Sequence, residues 1–259
     1  MMRTRTLILA MVLTACGIAP AAAERLVVSL SNHRIAITSS FVGDDLVLFG
    51  TIEPDAGKLI TRGDYDLVVT VTGPNQTLRT RRKERVAGIW VNVDSREFLR
   101  VPSYLAILSN RPVETIASPD TARRLQLGLD NYQLTQRVGA DFADTVPDDP
   151  FRAAFVRLET QFGLYRQDGT AVTFLTPTVF RAAVPVPSNV PTGSYNVDVK
   201  LFAGGALVTR TGTALEVIKA GFEQYVADAA RDNGLLYGLV TAFMALFVGW
   251  FGSVVFRRD

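Results

Sequence analysis

The sequence has one cysteine, Cys16, and one histidine, His33, among its 259 residues. A lone cysteine cannot form a disulfide within the chain, and no cluster of histidine and cysteine ligands can be assembled for a metal. A Ser–His–Asp triad would have to use His33, and a Cys–His dyad would have to use Cys16. We therefore predict no catalytic residue, no metal site and no cofactor.

The sequence also lacks a strong excess of charge, because its formal net charge is only +2. Setting aside the charged residues at the two ends leaves 23 basic and 24 acidic residues in between. Nucleic-acid binding depends on neutralising many phosphates, so this balance argues against it. With 48% hydrophobic and 20% charged residues, the chain can bury a substantial core.

Carboxylates that lie close together in the sequence are the remaining candidates for catalytic residues. A glycosidase needs two of them about 5–9.5 Å apart across a cleft. We expect turn and helix-cap roles instead, since a glycine precedes one pair and a proline follows another. The pairs are Asp44 with Asp45, Asp141 with Asp144, and Asp148 with Asp149.

The first 23 residues predict a secretory signal peptide. Arg3 and Arg5 precede a short apolar run, and an Ala-x-Ala site ends at Ala23. Cleavage there would start the mature chain at residue 24. An alternative is open, because residues 13–16 (LTAC) also fit a lipoprotein signal in which Cys16 is lipidated.

The C-terminal segment 235–256 has 22 residues and no charge among them. As a helix it would measure roughly 33 Å, enough to cross a hydrocarbon core of ~30 Å. Tyr237 and Trp250 suit the two interfaces, and Arg257 and Arg258 follow at once. The pattern predicts a single-pass protein of a bacterial inner membrane. Residues 257–259 would be cytoplasmic and most of the chain periplasmic.

The region between these ends alternates apolar and polar residues over short segments that turn residues separate. The expected fold is mainly β: an Ig-like antiparallel β-sandwich with a helical insert, followed by one transmembrane helix. Whether there is one sandwich or two stays open. The expected units are an N-terminal β region at 24–117, the insert at 118–165, a C-terminal β region at 166–220 and a juxtamembrane helix at 221–234. The first region's expected strands are 25–30, 34–38, 45–53, 66–72 and 76–93.

Short sequence motifs predict where individual helices and a turn of this region lie. Ser118 and Asp149 each precede a proline, which predicts two capped helix starts. In the second helix, five apolar residues fall on one face. Gly204 and Gly205 predict a tight hairpin turn. The five apolar residues are Phe151, Ala154, Phe155, Leu158 and Phe162.

A basic stretch, RTRRKER, occupies residues 79–85. On a strand, Arg79, Arg81, Lys83 and Arg85 would share one face. If residues 73–76, within the turn motif TGPNQ at 72–76, turn the chain back on itself, Lys83 would face Asp66 and Arg85 would face Asp64. Arg79 and Arg81 would then stay unpaired. Two interpretations are open: a solvated edge, or a site for an anion, a lipid headgroup or an acidic partner.

Small residues recur every fourth position in the predicted membrane helix: Thr241, Ala245, Gly249 and Ser253. Such a stripe lets helices approach closely in lipid, either in a homodimer or against a membrane-protein partner. The alternative is that glycine and alanine are simply common in membrane helices.

Several stretches together resemble an uncharacterised family of alphaproteobacterial transmembrane proteins. These are ERLVVSLSNHRIAITSSFVGDDLVLFGTIE, RRKERVAGIWVNV, VPSYLAILS, VPTGSYNVDVKLF and YGLVTAFMALFVGW. The resemblance covers nearly the whole mature chain and implies a signal, an extracytoplasmic region and one C-terminal span. It implies no activity and no site residues. A weaker implication is a genomic neighbour that resembles sulfite or organosulfonate exporters, which would suit an anion-facing arginine row.

These observations predict a non-enzymatic, membrane-anchored periplasmic module that binds or stabilises a membrane partner, with an anion transporter as the expected partner. The expected contacts are the lipid bilayer and a partner or second copy through the membrane helix. Two alternatives remain: an anion- or solute-binding domain that feeds a permease, and an envelope hydrolase that uses carboxylates.

Overall fold

The computed structural model describes residues 24–54, 61, 63–138, 141–144 and 149–255. The expected signal segment, including Cys16 and the cleavage site at Ala23, lies outside the described residues. The terminal Arg257 and Arg258 lie outside them as well.

Fourteen strands are described. They are β1 Arg25–Leu30, β2 Arg34–Ile37, β3 Gly43–Glu53, β4 Asp66–Thr72, β5 Asn75–Val86, β6 Ile89–Pro102, β7 Leu105–Ser109, β8 Thr135–Val138, β9 Asp141–Asp144, β10 Tyr165–Asp168, β11 Val172–Phe174, β12 Val179–Pro187, β13 Gly193–Ala203 and β14 Ala206–Lys219.

Five helices are described among the same residues. They are α1 Val113–Ile116, α2 Pro119–Arg124, α3 Pro150–Gln161, α4 Phe222–Asp232 and α5 Gly234–Val255. The mainly β class with a C-terminal apolar helix, predicted from the sequence, is confirmed.

The strands form three sheets. Sheet A has the order β1-β3-β12-β11, sheet B the order β10-β7-β4-β13-β14-β2, and sheet C the order β5-β6-β8-β9. Neighbouring strands are antiparallel except at the two edges of sheet B, where β10 runs parallel to β7 and β2 runs parallel to β14.

Sheets A and B pack on a shared hydrophobic core. Leu48 and Phe180 of sheet A and Val69, Val197 and Leu201 of sheet B are all fully buried in it. Side chains that alternate with these on sheet B point to the opposite face. Sheet B is therefore the central layer of the domain.

The opposite face of sheet B is covered by the segment that contains the first three helices. Val68, Ile107 and Phe202 of sheet B pack there with Phe98 of sheet C and Phe155 of α3. The rings of Phe98 and Phe155 stack with centroids 4.6 Å apart. This second core attaches sheet C and α3 to the sandwich.

The predicted local signals are confirmed. Ser118 caps α2 by accepting a hydrogen bond from the Thr121 backbone N–H, and Asp149 caps α3 by accepting one from Phe151. Gly204 and Gly205 both have positive φ in the tight turn between β13 and β14. Of the predicted apolar face of α3, however, Leu158 and Phe162 are exposed.

The expected single strand at 76–93 is wrong. The chain reverses at Ala87 and Gly88, which both have positive φ, so this segment forms the hairpin of β5 and β6. Two consecutive residues with positive φ define the type I′ turn that suits a twisted hairpin. The sequence signal was present in Gly88, between two β-branched residues at 86 and 89.

The C-terminal helix α5 spans 22 residues with a mean hydropathy of 1.9. None of its side chains is buried against the rest of the chain. A soluble protein would bury so apolar a helix, whereas a membrane supplies apolar surroundings itself.

Candidate functional site

The hairpin of β5 and β6, called here the basic hairpin, extends beyond the rest of the domain. Every residue from 81 to 93 is exposed. Its outer half is paired as a two-stranded ribbon, with Lys83 opposite Asn92, Arg85 opposite Trp90 and Val86 opposite Ile89. Such a ribbon buries little apolar surface, so it contributes little to a core and is available for contacts.

The tip of the basic hairpin is apolar. Ile89 and Trp90 are each 67% exposed and Val86 is 52% exposed, with Val91 and Val93 close behind them. Contiguous exposed apolar side chains beside charged ones mark interaction sites on soluble surfaces. The tip could not be recognised from the sequence as long as residues 76–93 were expected to form one continuous strand.

The predicted partners of the basic row are wrong. Lys83 does not face Asp66 and Arg85 does not face Asp64, because β4 lies in sheet B between β7 and β13. Residues 72–76 do turn the chain, but they carry it from sheet B to sheet C.

The four basic residues instead have separate environments on the basic hairpin. Arg79 pairs with Glu97 at 3.1 Å, contrary to the prediction that it stays unpaired. Arg85 donates a hydrogen bond to the Gly88 carbonyl. Arg81 and Lys83 form no ion pair among the described residues.

Arg81 and Lys83 line a groove of about 540 Å³ between sheet C and α3, called here the Arg81 groove. Arg82, Arg96 and Arg157 also line it, so it contains five cations. Its carboxylates are Asp94 and Asp149. Asp94 is paired with Arg96, and Arg82 is paired with Glu84 at 3.2 Å. The cations still outnumber the carboxylates, so the groove carries an excess of positive charge.

One wall of the Arg81 groove is held by contacts between sheet C and α3. The Arg96 guanidinium lies over the Phe151 ring, 4.9 Å from its centroid. Arg96 also bonds to Asp94 at 3.1 Å. Stacking on an aromatic ring and pairing with a carboxylate fix a guanidinium in place. These two contacts fix the Arg96 side chain in the wall of the groove.

The candidate acid pairs lie in different surroundings. Asp44 and Asp45 line an open cleft of about 820 Å³ beside Arg166 and Pro185. They are consecutive residues of β3, and the Asp44 carboxylate accepts a hydrogen bond from the Asp45 backbone N–H. Asp148 lies outside the described residues, and for Asp141 and Asp144 the structure gives only the backbone.

His33 is exposed. Its carbonyl accepts a hydrogen bond from the backbone N–H of Glu216, where the start of β2 lies beside β14. Within the described ranges, no three His, Cys, Asp or Glu side chains come together in a way that could hold a metal ion.

The small residues of α5 occupy one face of the helix. Thr241, Ala245, Gly249 and Ser253 follow at four-residue spacing, and a helical turn of 3.6 residues adds Gly238 and Gly252 to the same face. The Thr241 hydroxyl donates to the Tyr237 carbonyl at 2.6 Å, so its polar group is satisfied within the helix. The glycines leave open space beside them.

A β-rich region followed by one exposed apolar helix long enough to cross a bilayer defines a membrane protein with one C-terminal candidate span. A family described as "Putative transmembrane protein" matches residues 25–258. The chain belongs to this family, which confirms the resemblance noted from the sequence.

Comparison with curated proteins found no match. Among solved structures, the chain is similar to the N-terminal domain of the Streptococcus gordonii adhesin Sgo0707, with 9% sequence identity and a TM-score of 0.27. The match covers 74% of this chain and 32% of that chain.

Proposed function

We propose that this protein is a non-enzymatic docking module, anchored in the inner membrane by α5, whose periplasmic β region binds an acidic membrane protein through the basic hairpin. The observation that carries this proposal is the combination of an exposed apolar tip with the positive Arg81 groove at its base. Aromatic and arginine side chains are enriched at the centres of protein interfaces.

The division of roles follows from the surroundings of each side chain. Trp90 and Ile89 supply apolar area that a partner would bury. Arg81 and Lys83 lack described ion pairs, so they can pair with carboxylates of the partner without first breaking a contact. The expected partner is an anion transporter whose periplasmic surface carries carboxylates.

The test is photocrosslinking in intact cells. A benzoylphenylalanine placed at Trp90 of the full-length protein should crosslink to one membrane protein, and the double charge reversal Arg81→Glu with Lys83→Glu should abolish that product. The matched control is Arg181→Glu, an exposed arginine on sheet A with no ion pair among the described residues. A crosslink that survives the double reversal would refute the proposal.

A second function, an anion- or solute-binding domain that feeds a permease, is favoured by one observation. The Arg81 groove has a volume within the ~300–1,000 Å³ of small-molecule sites, and Arg81 lines it. In this case a soluble dicarboxylate such as malate should bind the purified protein, and Arg81→Gln should abolish binding. The crosslink at Trp90 would then be absent.

A further inference from the structure

A separate polar groove lies on sheet B, on the face turned away from the sandwich core. It has a volume of about 340 Å³ and is called here the Lys200 groove. Thr70 of β4, Lys200 of β13 and Arg210 of β14 form its floor, while Arg124 and Tyr132 contribute from the segment that covers sheet B. It shares no lining residue with the Arg81 groove.

The floor of the Lys200 groove brings like charges together. Lys200 and Arg210 are directly opposite each other across β13 and β14. Like charges in this position repel and destabilise a sheet unless a negative group lies between them. Asp198 pairs with Lys200, but Arg210 and Arg124 have no ion pair among the described residues. Three cations and one carboxylate leave an excess of two positive charges.

Burial makes this arrangement costly without a ligand. Lys200 is only 7% exposed, and its ammonium group has three N–H donors, of which Asp198 accepts one. Thr70 is also 7% exposed, and its hydroxyl has no hydrogen-bond partner among the described residues. Buried polar groups in native proteins are almost always paired, so a cluster with open donors indicates a polar ligand.

The Lys200 groove is partly covered, while the Arg124 and Arg210 side chains that line it are exposed. The Tyr132 side chain forms part of its cover, and burial raises the pKa of the Tyr132 hydroxyl, which therefore stays protonated and able to donate a hydrogen bond. The Arg152 side chain of α3 holds the Tyr132 segment by donating to its carbonyl at 3.0 Å. The cover is thus fixed in position by a buried contact.

We infer that the Lys200 groove binds a small soluble organic anion through a carboxylate or phosphate group. The anion would lie between Lys200, Arg210 and Arg124, whose guanidinium groups suit planar carboxylates and phosphates. The hydroxyl of Thr70, unpartnered among the described residues, would donate to the anion. This inference is independent of the docking function, because the two grooves are separate.

The test uses the full-length protein in detergent with two probes, malate and glycerol 3-phosphate, measured by isothermal titration calorimetry. At least one probe should bind, and Arg210→Gln should weaken its binding at least tenfold. Lys200→Met should abolish binding. Because Lys200 is buried and its replacement can impair folding, the exposed Arg210 provides the decisive variant.

The Thr70→Val variant distinguishes a ligand-binding site from a core that simply contains an unpaired hydroxyl. The replacement removes a hydroxyl without a described partner at nearly constant volume, so the ligand-free protein should be as stable as wild type or more stable. Binding of the probe should nevertheless weaken. Arg181→Gln is the matched control and should change the dissociation constant by less than twofold.

Two results would overturn the inference. One is the absence of binding for both probes at about 10 mM, roughly ten times a weak dissociation constant of about 1 mM. The other is binding to phosphatidylglycerol vesicles through Arg210 without binding of either soluble probe, which would identify a lipid headgroup as the ligand.

Discussion

Arg79 and Glu97 lie opposite each other on β5 and β6, and their side chains form an ion pair of 3.1 Å. The second oxygen of Glu97 is 3.5 Å from the Arg137 guanidinium on β8. One carboxylate therefore joins three neighbouring strands at the base of the basic hairpin. This assigns Arg79 to the support of the hairpin, whereas Arg81 and Lys83 remain available for the proposed docking.

Glu97→Gln should lower the free energy of unfolding by about 1 kcal/mol, because the Glu97 carboxylate is only partly exposed and serves two arginines. Thermal or urea unfolding of the detergent-solubilised protein measures this, and added salt should reduce the difference. The control is Glu53→Gln, whose exposed pair with Arg25 is longer at 3.9 Å, so its replacement should cost almost nothing. Loss of the Trp90 crosslink in Arg79→Gln would show instead that Arg79 takes part in recognition.

Strands, caps and the Gly204–Gly205 turn could be predicted because each depends on a few consecutive residues. Strand pairing could not be predicted in the same way. Residues 72–76 signal a turn, but nothing local says whether the chain returns beside β4 or crosses to another sheet. Asp66 illustrates the consequence: expected beside Lys83, it is buried against Arg111.

The candidate sites could likewise be predicted only where they depend on consecutive residues. The basic row was visible in the sequence as RTRRKER, but its groove needs Arg157 of α3, far along the chain. The sequence did not indicate that Lys200 and Arg210 are neighbours, because their proximity depends on the register of β13 and β14. The apolar tip became recognisable only once Ala87 and Gly88 were seen to form a turn.

Arg111→Ala should cost about 2–3 kcal/mol of unfolding free energy, since it leaves the buried carboxylate of Asp66 with Asn110 as its remaining described side-chain donor. The hydrogen bond to Asp66 raises the pKa of Arg111, so its guanidinium keeps its charge. Chemical denaturation checks the value. Arg181→Ala, an exposed arginine without a described partner, should stay within about 0.5 kcal/mol of wild type. Equal effects for the two variants would contradict the assigned role of Arg111.

Arg152→Met should both destabilise the protein and weaken ligand binding in the Lys200 groove. The buried Arg152 guanidinium donates to the carbonyls of Leu129, Asp130 and Tyr132 at 2.9–3.0 Å. Its loss leaves three partly buried carbonyls without that donor, at a cost of about 2 kcal/mol. Tyr132 lines the groove, so the cover should loosen. Hydrogen exchange at residues 129–132 should rise, and the affinity for the bound probe should fall. Unchanged exchange there would refute this coupling.

Asp168→Asn should show a pH-dependent loss of stability. Hydrogen bonds from the backbone N–H and hydroxyl of Thr170, followed by the contact with Arg166, lower the pKa of Asp168. A carboxyl whose pKa is lower in the folded state stabilises the protein above its unfolded pKa of about 3.9 and loses that effect as pH falls through the folded value. The variant should therefore be about 1 kcal/mol less stable at pH 7 and nearly equal to wild type at the acid end. A difference that stays constant between pH 7 and pH 3 would contradict this assignment.

Gly249→Leu should disrupt lateral packing of α5. Residues four apart on a helix drift by about 40° around its axis, so the small residues from Gly238 to Ser253 form one gently winding face. Leucine at position 249 would fill the open space beside that glycine and keep a second helix away. Energy transfer between labelled copies in lipid nanodiscs, or copurification with a crosslinked partner, should fall at least tenfold. Val240→Leu is the matched control, because Val240 lies on the opposite face and already carries a branched side chain. An unchanged complex in Gly249→Leu would show that α5 is an anchor without a packing role.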